Sequence, residues 1–123
     1  KNIFGNYSIY INSGKKRTGI NPVDFVKKAE EFGAGEILLT SIDAEGTRKG
    51  FDTDLIKTIT GAVNIPVIAS GGMGEHAHLE DAINLGDADA IAMADILHYE
   101  RSSIPMIRDS ARKAGINVRD YES

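Results

Sequence analysis

The chain contains no cysteine and no tryptophan, and only three of its 123 residues are proline. The lack of cysteine excludes disulfides, thiolate metal sites and a thiol nucleophile within these residues. No apolar run approaches the about 20 residues that a membrane-spanning helix needs, and no signal peptide is recognisable at the start. We therefore expect a cytoplasmic protein that does not associate with membranes.

Positive charge is scarce as well. The chain has 14 Lys and Arg residues against 18 Asp and Glu residues, which gives a formal net charge of −4. Nucleic-acid binding depends on clustered basic side chains, and the short run Lys15–Arg17 is typical of a solvated loop. With 41% hydrophobic and 26% charged residues, the chain is predicted to form a single domain over residues 1–123 that binds no nucleic acid.

Hydrophobic periodicity predicts helices that alternate with strands. Asn21 and Pro22 are typical of a helix start, and Gly33 is typical of a helix end. The apolar run Ile37–Leu39 that follows has the composition of a buried parallel strand. Similar patterns predict strands over Pro66–Ala69 and Ala88–Ala94, and helices over Thr53–Gly61, Glu75–Leu85 and Ser103–Ala114.

A β-hairpin is predicted ahead of these elements. Its strands are Ile3–Phe4 and Tyr7–Ile11, with Gly5–Asn6 as the turn and Ser13–Gly19 as a following loop. The order hairpin, α, β, α, β, α, β, α indicates an α/β fold with a parallel sheet and right-handed crossovers. In such folds, ligands bind at the carboxyl ends of the strands.

The segment Ser70–Gly74 joins the second of the predicted parallel strands to a helix. Glycines at such a position let the backbone approach a ligand closely, and a helix start adds partial positive charge. This pattern favours phosphate binding, and a tight turn without a ligand is the alternative. The glycine motifs of nucleotide-binding proteins are absent from the sequence, which indicates no cofactor.

Carboxylates near the strand ends have two interpretations each. Asp43 and Glu45 follow a predicted strand and can bind a substrate hydroxyl or share acid–base chemistry, or Asp43 can lie in a solvated capping loop. Glu36 precedes the same strand and is either exposed or paired inside the fold. His76 and His78 are two positions apart on a helix and face different directions, so no metal site is predicted.

Five segments of the chain form a specific combination of motifs. They are Ser13–Ile20, Gly33–Asp43, Gly46–Thr47, Pro66–Gly72 and Gly115–Arg119. Together they resemble the cyclase subunit of imidazole glycerol phosphate synthase, and the resemblance covers almost the whole chain. It implies a (βα)8 TIM barrel that acts as a lyase in histidine biosynthesis. Such a barrel takes ammonia from a glutaminase subunit and reacts it with a phosphorylated ribulosyl-aminoimidazole-carboxamide nucleotide.

The chain is too short for a complete barrel of this kind. Such a barrel takes about 250 residues, so 123 residues correspond to a half-barrel. The resemblance implies the carboxyl-terminal half, which begins just after the fifth strand of the barrel. The two catalytic aspartates of the family lie on the first and fifth strands. The resemblance therefore implies no catalytic residue in this chain and no cyclase activity of the chain alone.

The site residues that the resemblance implies belong to the second phosphate site of the barrel. Ser70, Gly71 and Gly72 match that site on the seventh strand, and Ala94 matches it on the eighth. Thr40 matches a residue that lines the active site on the sixth strand. A phosphorylated small molecule is therefore the expected substrate.

Other residues match the family with differences. Glu36 matches a charged gate residue at the bottom of the barrel, where ammonia enters. Asp43, Glu45 and Gly46 are candidate substrate contacts, although Glu45 stands where the family has an aspartate. Asp95 stands where the family has a serine that donates to phosphate, and a carboxylate there is expected to repel the phosphate. The sequence therefore predicts that Asp95→Ser tightens phosphate binding.

These differences leave three functions open. The first is the histidine-pathway cyclase, the second is a paralogue that supplies ammonia for amidination of surface-polysaccharide sugars, and the third is a non-catalytic phosphate-binding or assembly module. Half a barrel exposes strand edges and apolar surface, so we also expect self-association. The residues expected to face the barrel interior are Ile37, Leu39, Val67, Ala69, Ala90 and Ala92.

Overall fold

The computed structural model describes residue 1 and residues 5–120, and helices alternate with strands as predicted. An antiparallel hairpin, β1 (Tyr10–Ile11) and β2 (Lys16–Arg17), comes first. The elements that follow are α1 (Pro22–Glu31), β3 (Ile37–Thr40), α2 (Thr53–Thr60), β4 (Val67–Ser70), α3 (His76–Asn84), β5 (Ala90–Ala92), α4 (Asp95–His98) and α5 (Ile104–Lys113).

The strands β3, β4 and β5 form a parallel sheet in that spatial order. In the register of the sheet, Thr40 is the partner of Ser70, and Ser70 is the partner of Ala92. The carboxyl ends of all three strands therefore lie side by side at one edge. This arrangement is the one expected for part of a (βα)8 barrel.

Capping residues set the bounds of the helices. The Asn21 side chain accepts a hydrogen bond from the N–H of Val23 at 2.8 Å, and the Asp52 side chain accepts one from the N–H of Leu55 at 3.0 Å. Gly33 follows α1 with a φ of 93°, in the left-handed region. These are the starts and the stop that the sequence predicts. All helices are short, and in the part of the chain described here none is long and apolar enough to span a bilayer.

The helices cover one face of the sheet and leave the other open. Val67 and Ala69 are almost completely buried, whereas Leu38 is 65% exposed. The buried residues form two clusters on the helix-covered side. One contains Phe51, Ile56, Ala69, Met73, Leu79, Ala82, Ala88, Ile96, Ile107 and Ala111, and the other contains Val26, Leu55, Ile59, Val63 and Val67.

The prediction of which strand residues face the barrel interior was wrong for β3 and β4. Ile37, Leu39, Val67 and Ala69 pack in the helix-covered clusters. Alternation along the strands and the observed register place a different set on the open face. That set, called the open sheet face below, is Leu38, Thr40, Ile68, Ser70, Ala90 and Ala92. The apolar runs of β3 and β4 do not alternate with polar residues, so the sequence could not show which side chains face the helices.

The hairpin also differs from its prediction. Tyr10–Ile11 pair with Lys16–Arg17, which the sequence analysis assigned to a loop. The chain reverses through Asn12–Gly14, whose φ angles of 54°, 54° and 79° are all positive. Lysine and arginine have no strand preference, so the sequence carried no signal for the second strand. The predicted strand Ile3–Phe4 lies outside the described residues.

The third parallel strand is shorter than predicted and is followed by an unpredicted helix. Strand β5 comprises Ala90–Ala92 rather than Ala88–Ala94, and α4 begins at Asp95. The side chain of Ile96 anchors this short helix because it is only 2% exposed in the larger core cluster. This tertiary contact ends the strand where the apolar pattern alone continues.

We expect the 123-residue chain to self-associate through the open sheet face, most simply as a two-fold dimer. Leu38→Glu should weaken this association by roughly tenfold or more, because it places a charge where an apolar side chain would be buried. Sedimentation equilibrium over a wide concentration range measures the effect. Phe32→Glu is the matched control, since Phe32 is 81% exposed but lies at the end of α1. A stable monomer of the unchanged chain at high micromolar concentration would contradict the prediction.

Candidate functional site

A cavity of about 170 Å³ lies where the three parallel strands end, and it is called the strand-exit cavity below. Its walls come from the loop after β3, the glycine segment after β4, and the end of β5 with the start of α4. Many of the residues predicted from the sequence line this cavity together. They are Glu45, Gly46, Ser70, Gly71, Gly72, Ala94 and Asp95.

The glycine segment needs its glycines for two separate reasons. Gly71 and Gly72 have φ angles of 91° and 111°, which L side chains rarely adopt. A carbon atom added at Gly72 would lie 2.1 Å from the carbonyl oxygen of Gly50, and one at Gly74 would lie 2.2 Å from that of Arg48. Gly50 N–H also donates a hydrogen bond to the Gly72 carbonyl at 2.9 Å. The loop after β3 therefore packs directly on the backbone of the glycine segment.

Both histidines of α3 have partners inside this part of the fold. His78 Nδ1 accepts a hydrogen bond from the N–H of Gly74 at 3.0 Å, and its ring lies against Gly50. His76 Nε2 lies 2.8 Å from the hydroxyl oxygen of Ser102. Each side chain thus supports a different segment, which agrees with their pointing in different directions.

Asp95 does not present an unpaired carboxylate to the strand-exit cavity. Its Oδ2 accepts a hydrogen bond from Arg48 Nε at 2.9 Å, and its Oδ1 accepts one from Arg48 Nη2 at 3.1 Å. Arg101 also donates to Asp95, and its other amino group donates to the Gly74 carbonyl at 3.1 Å. The repulsion of phosphate expected for Asp95 stays a prediction, but its carboxylate is paired in the structure. Two guanidinium groups neutralise it, and Asp95→Ser would remove their shared acceptor.

Sequence reasoning missed Arg48 and Arg101. Arg48 lines the cavity, and its guanidinium lies 5.1 Å from the centroid of the Tyr99 ring. The available signal was a basic residue in the same strand-exit loop as Glu45. Its partner Asp95 is 47 positions further along the chain, so no local pattern could connect the two residues.

Three predicted site residues line a second cavity instead. Glu36, Thr40 and Asp43 belong to a space of about 480 Å³ that runs along β3. Glu36 lies just before the strand and Thr40 ends it, so they mark opposite ends of β3. Thr40 is the register partner of Ser70, which lines the strand-exit cavity. The two cavities are therefore neighbours at the carboxyl edge of the sheet.

Tyr7 forms part of the wall of the second cavity. Its hydroxyl donates to the carboxylate of Asp52, with oxygen distances of 2.9 and 3.1 Å. Burial, followed by this hydrogen bond and the charge of Asp52, raises the pKa of the Tyr7 phenol well above its ordinary value. The hydrogen bond from the Tyr7 phenol to Asp52 connects the segment before β1 to the start of α2.

Gly72→Ala should destabilise the fold by about 2–4 kcal/mol, because it adds both backbone strain and a clash with the Gly50 carbonyl. Urea denaturation followed by circular dichroism measures the loss. Gly35→Ala is the matched control, because no heavy atom beyond Gly35 and its two chain neighbours lies within 4 Å of the added carbon, and the φ angle of Gly35 is not positive. Equal stability of the two variants would show that the two loops can separate at little cost.

Comparisons with known proteins agree with this architecture. Residues 1–103 match the family described as Histidine biosynthesis protein. The imidazole glycerol phosphate synthase subunit HisF of Methanocaldococcus jannaschii is 49% identical over 113 residues, which are 92% of this chain and 42% of that protein. The HisF subunit of Methanococcus vannielii is 47% identical over 113 residues, with the same two shares. That of Alkaliphilus metalliredigens is 44% identical over 115 residues, covering 94% of this chain and 46% of its own length.

The chain spans less than half the length of these curated relatives. The family match and the parallel strands that alternate with helices confirm the predicted fold class, a part of a TIM barrel. They also confirm the resemblance that the sequence motifs indicated. The chain belongs to the histidine biosynthesis protein family.

Proposed function

We propose that this chain is the phosphate-binding, carboxyl-terminal half of a cyclase subunit of imidazole glycerol phosphate synthase. The observation that carries the proposal is the glycine segment Ser70–Gly72, which lies among three adjacent strand ends and lines a cavity with Arg48. Barrels of this architecture bind ligands at the carboxyl ends of their strands. The relatives named HisF, 44–49% identical, support the assignment to this enzyme.

The lining of the strand-exit cavity suits a phosphate group. Gly46, Gly71 and Gly72 carry no side chains, so a ligand can reach the backbone N–H groups. Arg48 adds a permanently charged group whose planar N–H donors match phosphate oxygens. Ser70 contributes a hydroxyl on the open sheet face. The site can therefore hold one phosphate of a phosphorylated substrate by hydrogen bonds and charge.

The opposite end of the sheet suits entry of a second reactant. Glu36 and Thr40 lie four positions apart along extended chain, which corresponds to about 13 Å. In the proposed enzyme, a glutaminase subunit delivers ammonia near Glu36, and ammonia travels along the interior to the substrate near Thr40. The exposed open sheet face is the surface along which such a path would run in a closed barrel. The proposed partner is thus a glutaminase, and the proposed substrate is the phosphorylated nucleotide.

A second candidate function is a paralogue with a different phosphorylated or sugar substrate, such as one that supplies ammonia for sugar amidination. Two differences from the family pattern favour it, namely Glu45 and the Asp95 carboxylate with its arginine partners. Such a paralogue would keep the phosphate site and the ammonia entry but would not convert the histidine-pathway nucleotide. Turnover by the parent enzyme with that nucleotide distinguishes the two candidates.

Inorganic phosphate should bind at the strand-exit cavity and shift the backbone amide resonances of Gly71 and Gly72. A titration of 15N-labelled protein into the tens of millimolar, at constant ionic strength, tests this prediction. Sodium chloride at the same ionic strength is the control, because chloride lacks the several acceptor oxygens of phosphate. Unchanged Gly71 and Gly72 resonances would contradict the proposed function.

The 123-residue chain by itself should show no ammonia-dependent conversion of the nucleotide, because it lacks both aspartates implied for catalysis. The HisF subunit of Methanocaldococcus jannaschii, assayed in parallel with the same ammonia and substrate, serves as the positive control. Measurable turnover by the pure chain would contradict the interpretation that it is a half-barrel without the catalytic aspartates. A parent enzyme that binds phosphate but turns over no substrate would favour a non-catalytic binding module.

A further inference from the structure

We propose that Asp95 is a positioning residue that holds Arg48 as the guanidinium ligand of the anion in the strand-exit cavity. The inference rests on the proposed phosphate-binding function of that cavity and adds a specificity-determining residue to it. The sequence alone suggests that Asp95 weakens phosphate binding, whereas this inference predicts that Asp95 strengthens it. A carboxylate beside a phosphate site would then strengthen binding through the arginine that it orients.

The geometry of the ion pair fixes the orientation of Arg48. Nε and Nη2 of Arg48 donate to the two different oxygens of Asp95, at 2.9 and 3.1 Å. Two parallel hydrogen bonds of this kind set the plane of a guanidinium group as well as its position. A guanidinium has five N–H donors, so the pair uses two of them. Within residues 5–120, no acceptor atom takes the remaining donors of Arg48.

The backbone of Arg48 is also constrained by its surroundings. Its φ angle is 58°, in a region that residues other than glycine seldom adopt. Its carbonyl oxygen packs against Gly74, and its guanidinium lies over the ring of Tyr99. Strained residues persist where the surrounding structure determines their conformation, and they concentrate at functional sites. Arg48 is therefore positioned by contacts from the segments that follow β4 and β5.

The charge balance explains why the cavity needs these arginines. Glu45 and Asp95 both line it, and two carboxylates beside a phosphate would repel it. Arg48 and Arg101 both pair with Asp95, and their two positive charges equal in number the two carboxylates of the lining; Arg101 also donates to the Gly74 carbonyl. Without Asp95, Arg48 would keep its charge but would be free to turn toward solvent, since its side chain is 47% exposed. Binding would then depend on an arginine that spends much of its time away from the anion.

The opposing interpretation is that the Arg48–Asp95 ion pair only holds the loop after β3 against the start of α4. Partly exposed ion pairs contribute little to stability, so a contact of this kind would change binding only slightly. A repulsive role for Asp95 predicts tighter phosphate binding when its charge is removed. A positioning role predicts weaker binding although a negative charge has been removed. The sign of this effect therefore separates the interpretations.

The test uses the 123-residue protein, inorganic phosphate as the probe, and the Gly71 and Gly72 amide resonances as the readout. Arg48→Gln should weaken phosphate binding roughly tenfold, and Asp95→Asn should weaken it by about threefold or more. Arg112→Gln is the matched control, because it removes an arginine of α5 that pairs with Asp109 and Asp120 outside the cavity. Unchanged amide resonances in the remainder of each variant verify the fold.

Two further measurements keep the test decisive. Arg48→Lys preserves the charge but not the two-point pairing with Asp95, so a positioning role predicts weaker binding in this variant too. The Nε–H resonance of Arg48 should move in Asp95→Asn, which verifies that the pair is present in solution, and phosphate binding then separates the interpretations. Tighter or unchanged phosphate binding in Asp95→Asn would overturn the inference while leaving the phosphate site intact. If phosphate fails to bind the unchanged protein, the proposed function itself falls.

Discussion

The architecture of the candidate site depends on one close backbone contact, the approach of Gly72 to the carbonyl of Gly50. A side chain at Gly72 would place a carbon 2.1 Å from that oxygen, so only glycine permits the contact. The Gly50 N–H completes it by donating to the Gly72 carbonyl. Because of this contact, the loop after β3 lies on the glycine segment after β4. Arg48, which belongs to that loop, is thereby carried to the neighbourhood of Asp95.

Three strand exits are thus connected pairwise by different kinds of interaction. Close backbone packing joins the first to the second, the Arg48–Asp95 pair joins the first to the third, and Arg101 joins the third to the second through the Gly74 carbonyl. Arg48, Gly71 and Gly72 from the connected segments line one common cavity. This assembly is the structural basis of the anion site that we propose, in a chain whose net charge is negative.

The sheet explains how the same chain can be both a folded unit and part of a larger enclosure. Helices bury Val67 and Ala69 on one face, and this burial supplies the two hydrophobic clusters. The opposite face carries Thr40 and Ser70 near the strand ends and the exposed Leu38 further down. In the proposed enzyme that face would line the interior of a closed barrel, where its side chains would contact substrate and ammonia rather than the core. This division agrees with a chain that spans less than half the length of its HisF relatives.

Local sequence patterns were sufficient to predict those parts of the structure that depend on neighbouring residues. Asn21 and Gly33 bound the first helix, the apolar runs marked the parallel strands, and the glycines after β4 marked the strand exit. The packing of the helices was needed to show which face of β3 and β4 is covered, since a continuous apolar run has no alternation to reveal its buried side. The tertiary structure also decided the pairing of Asp95, whose partner Arg48 lies 47 positions away. Residues this far apart in the sequence can form an ion pair because the packed strands end at the same edge of the sheet. No local pattern of residues predicts such a contact.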